Sequence, residues 1–373
     1  MNGVTAPPTI PYGRQTIDSA DIAAVTAVLQ SDRLTQGPAI ERFEEAFAAK
    51  VNARHAIAFA NGTAALHAAV VAGGIGPHHT VATSPLSFAA SANCARYAGA
   101  TPAFVDIDPA TLNLDLSAVG RCDALVAVHY AGLPIDLAAL RERPRTVIED
   151  AAHALGAATP DGPVGNCARS DMCCFSFHPV KAITMGEGGA VTTNSDDLAE
   201  RLRTFRTHGI VRKPEHGDWY YEIDELGFNY RITDLQAALG TSQLQRLGSF
   251  ISMRNTLARR YRELLAAVEG VELPPEAPTG FLHAYHLFVV RVPAAQRRRV
   301  FDEMRAAGIG VQVHYVPIYR HPIYADLHIS VAEYPETERA YAGLLSLPMF
   351  PTLTKRDQDY VVEALAKALA AHT

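Results

Sequence analysis

Cysteine is scarce and badly placed for cross-linking. Cys94, Cys122, Cys167, Cys173 and Cys174 are odd in number, two are adjacent, and no C-x-x-C spacing occurs. That argues against a disulfide framework or a zinc knuckle, and the thiols are expected to be reduced and mostly buried. No apolar run approaches the roughly 18 residues that a membrane-spanning helix needs. The opening MNGVTAPPTIPYG has no basic region leading into an apolar one, unlike a secretory signal. A cytoplasmic protein is the expectation. Excess positive charge is also missing: the formal net charge is -6, which speaks against nucleic-acid and membrane-surface partners. No G-x-G-x-x-G follows a strand-like run, so a nicotinamide-binding reading fails. Histidine is abundant (15), yet His78-His79 and His314 with His321 lack a carboxylate at ligand spacing, and no metal is expected.

What is present is core material. Of 373 residues, 48% are hydrophobic and 19% charged, enough for two packed domains. From about residue 18 to 250, helical patterns alternate with short apolar runs. Asp18 reads as the N-cap of a helix with apolar Ile22, Val25, Val28 and Leu29, with Asp21 as a first-turn acid. Runs at 56–60, 80–84, 102–106, 124–129 and 146–150 read as strands with both faces covered, which implies a parallel sheet. Residues 172–177 and 189–194 resemble two further strands, close enough to pair. Long helices follow at about 233–247 and 252–268. Beyond the turn-rich 274–280 come a strand at 286–292, a helix at 295–307, a strand near 310–314, and two more helices around Ser346-Leu347-Pro348. The expected division is a large α/β domain over 16–250 and a small C-terminal α+β domain over 251–373. Residues 1–15 are expected to pack against the latter.

Three features fall in a telling order. An apolar strand ends in Glu149-Asp150-Ala151-Ala152-His153, and ligands bind at the carboxyl ends of such strands. A second strand runs into Ser176-Phe177-His178-Pro179-Val180-Lys181. Glycine-rich Gly186-Glu187-Gly188-Gly189 comes immediately before the next strand. The lysine follows the acid by 31 residues (150 to 181). Pyridoxal 5′-phosphate (PLP) chemistry needs this combination: a lysine to form a Schiff base with the cofactor aldehyde, and a carboxylate to keep the pyridine nitrogen protonated. Asn61-Gly62-Thr63, between a strand and a helix, offers free amides for a phosphate. Ser176 and His178 add donors, and Phe88 offers a face for the ring. Singly each has a bland reading, as a helix cap, a solvated lysine, a common turn or a core aromatic. Their joint order and spacing carry the argument.

With those residues the chain resembles the DegT/StrS sugar aminotransferases, fold type I PLP enzymes of the aspartate-aminotransferase superfamily. The likeness runs from Leu34-Thr35-Gln36-Gly37 through the blocks above to Gly227-Phe228-Asn229-Tyr230-Arg231 and Gln312-Val313-His314-Tyr315-Val316-Pro317. The resemblance implies that Lys181 binds the cofactor aldehyde, Asp150 pairs with the pyridine nitrogen, and His153 sits near the phenolic oxygen. It further implies that Phe88 stacks on the ring, with Gly62, Thr63 and Ser176 holding the phosphate. Asn229 is expected to reach the phosphate of the other protomer in a homodimer, and His314 and Tyr315 to face the sugar nucleotide. Relatives with His at the lysine position dehydrate a sugar instead, so Lys181 favours transamination from L-glutamate. Within the family the likeness is nearest to the pseudaminic acid pathway branch, which aminates C4 of a UDP-linked 4-keto-6-deoxy-N-acetylhexosamine. Ala182 departs from that branch, which often has proline there. A dTDP-4-keto-6-deoxyhexose remains the alternative substrate, and a PLP-dependent dehydratase or regulator the alternative class.

Overall fold

The computed structural model describes residues 10–370. Residues 1–9, part of the segment expected to pack on the smaller domain, lie outside the described residues. Helices α1 (Ser19–Leu29) and α2 (Pro38–Val51) lead into β1 (His55–Phe59), α3 (Gly62–Ala72), β2 (Thr80–Thr83) and α4 (Ala90–Tyr97). Then come β3 (Thr101–Phe104), β4 (Ala124–Val128), β5 (Thr146–Asp150), a small ribbon of β6 (Ala158–Thr159) and β7 (Gly162–Pro163), β8 (Met172–Ser176) and β9 (Gly189–Thr193). The middle of the chain holds α5 (Asp196–Arg206), the hairpin β10 (Ile210–Arg212) and β11 (Tyr221–Ile223), α6 (Asp234–Gln245) and α7 (Leu247–Leu265). It closes with β12 (Phe288–Arg291), α8 (Arg297–Ala306), α9 (Pro335–Gly343), β13 (Leu344–Leu347) and α10 (Lys355–Ala370).

Seven strands form one sheet in the order β1-β9-β8-β5-β4-β2-β3, with β9 antiparallel to both neighbours and all other pairs parallel. This is the fold type I transferase architecture. Successive residues alternate between two apolar layers, as the strand period requires. Ala56, Ala58, Cys173 and Phe175 face the layer that contains Phe43, Phe47 and Phe177. Ile57, Phe59, Met172 and Cys174 face the layer built on the alanine-rich α3. Alanines let α3 lie close on the sheet, and the sheet's carboxyl edge is left free for a site.

α1 differs from its sequence reading. Asp18 caps it and Asp21 closes a capping box. Of its apolar positions Val28 is buried, whereas Ile22 and Leu29 are exposed, and it is Asp21 that is buried. Gln243 and Arg246 grip the Asp21 carboxylate, so charge joins the burial of Val28 in fixing α1 to α6.

A third core joins α7, α8, α10 and the β12–β13 pair. Ile10 belongs to it, bonded to Gly308 and Gly310. Two expectations change here. The stretch near 310–314 is not a strand, because its backbone bonds the N-terminal segment at Ile10 and meets Ser346 only at Gln312. Between the two closing helices, Leu344–Leu347 is a strand paired with β12. Four residues, Leu-Leu-Ser-Leu, are too short to carry a period that separates strand from helix, and their partner is remote in sequence.

Candidate active site

The cleft lies at the carboxyl edge of the parallel strands and has a volume of about 750 Å³. Gly62, Thr63, Phe88, Asp150, His153, Ser176, Lys181, His314 and Tyr315 all line it. Asn229 does not: it is exposed, on a segment bridged to Thr207.

One end of the cleft is the N-terminus of α3. Asn61 caps the helix, its side-chain oxygen accepting from the Ala64 amide at 2.8 Å. The Gly62 and Thr63 amides belong to the first turn and have no intrahelical acceptor, so they present an anion site with the positive end of the helix dipole. Glycine is needed at 62, since a Cβ there would stand 2.9 Å from the Ser176 Cβ. The glycine-rich run before β9 has a related cause. Gly189 lies in register with Phe59 on one side and Ser176 on the other, and a Cβ on it would come within 2.4 Å of the Asn61 carbonyl oxygen. That side chain is missing so that the turn into α3 can cross the end of the sheet.

The acid and the lysine come from the ends of adjacent parallel strands. Asp150, the last residue of β5, is buried. Its Oδ2 accepts from the Ser91 hydroxyl at 2.6 Å and its Oδ1 from the Ala152 amide at 3.2 Å. Lys181 follows β8 by a short loop. Desolvation lowers its amine to a pKa of about 8, while the Asp150 charge pulls in the opposite direction. An amine so placed exchanges protons near neutral pH.

The opposite wall is histidine-rich. His153 Nε2 is 3.0 Å from the Tyr315 hydroxyl, while its Nδ1 is buried with no protein partner. Burial first, then the nearby Lys181 charge, holds this imidazole well below its ordinary pKa. His314 bonds Ser346 through Nδ1 at 2.8 Å and is lowered to about 4, again by burial and then by Lys181. Behind them Tyr130 donates to the His314 carbonyl. Phe88 is exposed to the cleft, with its ring 6.1 Å from that of Tyr315.

Sequence reasoning passed over several groups. His286, with its ring 4.3 Å from His153, lines the cleft, as do Tyr12, Ser87 and Tyr230. Ser87 and Ser91 carry an i, i+4 spacing that hints at one helical face, but nothing local points to Asp150. His286 and Tyr12 reach the site only through the tertiary fold.

The residues fit PLP: an anion cradle where a Cβ would intrude, a buried carboxylate, a lysine of lowered pKa, and an imidazole nitrogen short of a partner. Comparison with known proteins agrees. Residues 15–366 match the DegT/DnrJ/EryC1/StrS aminotransferase family. The chain belongs to that family. It is a PLP-dependent sugar aminotransferase. Among its relatives, the spore coat polysaccharide biosynthesis protein SpsC of Bacillus subtilis is 37% identical, over 95% of this chain and 96% of SpsC. Among solved structures, Helicobacter pylori PseC, an aminotransferase involved in the biosynthesis of pseudoaminic acid, superposes with a TM-score of 0.90. It is 28% identical, covering 97% of this chain and 100% of PseC. DesV of S. venezuelae has a TM-score of 0.88 at 32% identity, over 99% and 100% of the two chains.

Among the described residues, no group of three or more His, Cys, Asp or Glu is arranged to hold a metal ion. No helix among them is long and apolar enough to cross a membrane.

Proposed function

We propose that this sugar aminotransferase moves an amino group from L-glutamate to the C4 keto group of a nucleotide-linked 4-keto-6-deoxy sugar, with UDP-4-keto-6-deoxy-N-acetylhexosamine as the leading acceptor. The observation that carries the chemistry is Lys181 and Asp150 facing one cleft beside the free amides of α3. The names of PseC and SpsC, pseudoaminic acid and spore coat polysaccharide biosynthesis, support a sugar acceptor of surface-glycan type. The dTDP-linked acceptor is the alternative that the assay below separates.

Bound in the cleft, PLP supplies an aldehyde for amine exchange and a ring that accepts electrons. Asp150 would keep a proton on the ring nitrogen. Lys181 Nζ would take up the proton from the donor's α-carbon and, in the second half of the reaction, would supply a proton at C4 of the sugar. A pKa of about 8 suits one amine to both directions near neutral pH. Gly62, Thr63 and Ser176 would bind the phosphate, Phe88 would stack on the ring, and His153 would sit near the phenolic oxygen. His314 and Tyr315 orient the sugar nucleotide. Asn229, exposed and not among the residues lining its own cleft, would complete the phosphate site of a second protomer.

The test is amine transfer from glutamate to the UDP and dTDP 4-keto sugars, with products read by mass spectrometry. Amination of the UDP sugar alone is the expected result. Amination of the dTDP sugar alone moves the enzyme to a deoxysugar pathway. Amination of neither, with cofactor still trapped on Lys181 by borohydride, refutes the substrate class and leaves the cofactor chemistry standing.

A further inference from the structure

The Asp150 carboxylate stands at the end of a chain of hydroxyls whose direction follows from hydrogen-bonding capacity alone. An ionised carboxylate only accepts, so the 2.6 Å contact commits the single Ser91 proton to Asp150 Oδ2. Ser91 is 2.7 Å from the Ser87 hydroxyl, and with its own proton spent it can only accept there. Ser87 therefore donates to Ser91, and Ser91 donates to Asp150. Both serines are buried, and Ser87 also lines the cleft. Ser91 lies in the first turn of α4 and Ser87 in the bend that leads into it, so the entry to the helix delivers the relay to the end of β5. The other carboxylate oxygen takes the Ala152 amide.

We propose that Ser91, supported by Ser87, is a positioning residue of the reaction: it fixes the orientation of Asp150 and keeps its charge available to the cofactor's ring nitrogen. This rests on Asp150 being the ring's partner. The need for such support is visible around it. On its own face of the sheet the Asp150 charge reaches Cys94 from α4 and Cys174, its register partner on β8, together with Tyr315 and Lys181. The two thiols and the phenol are pushed above their ordinary pKa, first by burial and also by the Asp150 charge. They are neutral at pH 7 and carry no compensating charge. Among these groups Lys181 alone is cationic, and that amine has to give up its proton during turnover. Hydrogen bonds from Ser91 and Ala152 remain when it does.

The experiment follows the Asp150 carboxyl by carbon-13 NMR in the cofactor-free protein, comparing wild type with Ser91→Ala and Ser87→Ala. The same variants loaded with PLP are then scanned for absorbance against pH. Losing one charge-assisted hydrogen bond to the ionised carboxylate should move the Asp150 midpoint upward in Ser91→Ala. Ser87→Ala removes only the supporting donor, so the shift should run in the same direction and be smaller. In the loaded protein, the pH at which the bound cofactor's spectrum changes should move in the same rank order. Ser91→Thr, which restores the hydroxyl, should return both midpoints toward wild type. Unchanged midpoints in both alanine variants overturn the proposal. Should Ser91→Ala fail to fold, an unmoved Ser87→Ala midpoint overturns it equally. A midpoint shift in the cofactor-free protein with no change in the loaded spectrum would show that Ser91 tunes Asp150 but that Asp150 is not the ring's partner, which separates the two claims.

Discussion

Replacing Gly189 by alanine adds one methyl group at a position where the backbone leaves no room. The new Cβ would lie 2.4 Å from the Asn61 oxygen, 2.5 Å from its carbonyl carbon and 2.8 Å from the Gly62 nitrogen. Ordinary contact begins near about 3.4 Å, so the turn into α3 must withdraw by roughly 1 Å, and no flexible side chain can give way in its place. Overpacking of this kind costs about 1–3 kcal/mol. The atoms that move are those of the turn proposed to hold the phosphate, so much of that cost should appear in cofactor affinity, weakening it by about five- to one-hundred-fold. The assay is fluorescence titration of PLP into cofactor-free protein, run beside thermal denaturation. Two neighbours serve as controls. Gly186 has φ +78 with nothing within 4 Å of its Cβ position. Gly186→Ala should therefore cost about 1 kcal/mol or a little more of backbone strain and leave affinity unchanged. At Gly188 the nearest atom is the Met185 sulfur at 2.9 Å, on a side chain that can turn aside. A Gly189→Ala protein with wild-type affinity and wild-type melting would refute the argument that the glycine exists to admit the Asn61–Gly62 turn.

Three further outcomes are expected. Lys181→Ala should retain PLP through the phosphate cradle and Asp150, give no covalent adduct with borohydride and lose amine transfer; substantial transfer would sink the role of Lys181. His283 is buried, its Nδ1 accepts from the Tyr285 amide at 2.9 Å, and burial lowers it to about 3. Because its folded pKa lies below the unfolded value near 6.5, its contribution is intact above pH 6.5. It is lost at up to about 1.4 kcal/mol per pH unit as pH falls from 6.5 toward 3. His283→Gln should flatten the pH dependence of urea stability by about one proton, and an unchanged slope would count against it. Arg254 is buried without a carboxylate within ion-pair distance among the described residues. One guanidinium nitrogen reaches the carbonyls of Tyr285, His286 and Met349 at 3.1, 3.3 and 3.0 Å. Arg254→Met keeps most of the volume but leaves these carbonyls without that donor, so chemical denaturation should show a loss of about 2–4 kcal/mol. A neutral result would mean that water replaces the guanidinium.

The parts of the site that could be read from sequence are those that sit next to a secondary-structure boundary. Asp150 ends a strand, Lys181 follows one and Gly62 opens a helix, so each position carries a local signature as well as a chemistry. The strands of the main sheet were legible from their place between helical patterns: β4 and β5 are buried along their whole length, as strands covered on both faces are. His286, Tyr12 and Ser87 lack such a signature. His286 precedes β12, whose partner is β13, 56 residues further on at Leu344. The strand near 310–314 failed for a related reason, since its backbone partner is Ile10 at the other end of the chain. α1 shows a third kind of miss. Its apolar stripe predicted a core face, yet Ile22 and Leu29 are exposed while the acid Asp21 is buried against Arg246 and Gln243. A first-turn aspartate reads as a dipole partner, and only the approach of a distant arginine turns it into an anchor. What the sequence withholds is therefore selective. Chemistry attached to one strand end or helix start is visible, whereas chemistry assembled between remote segments becomes visible only once the sheet has brought them together.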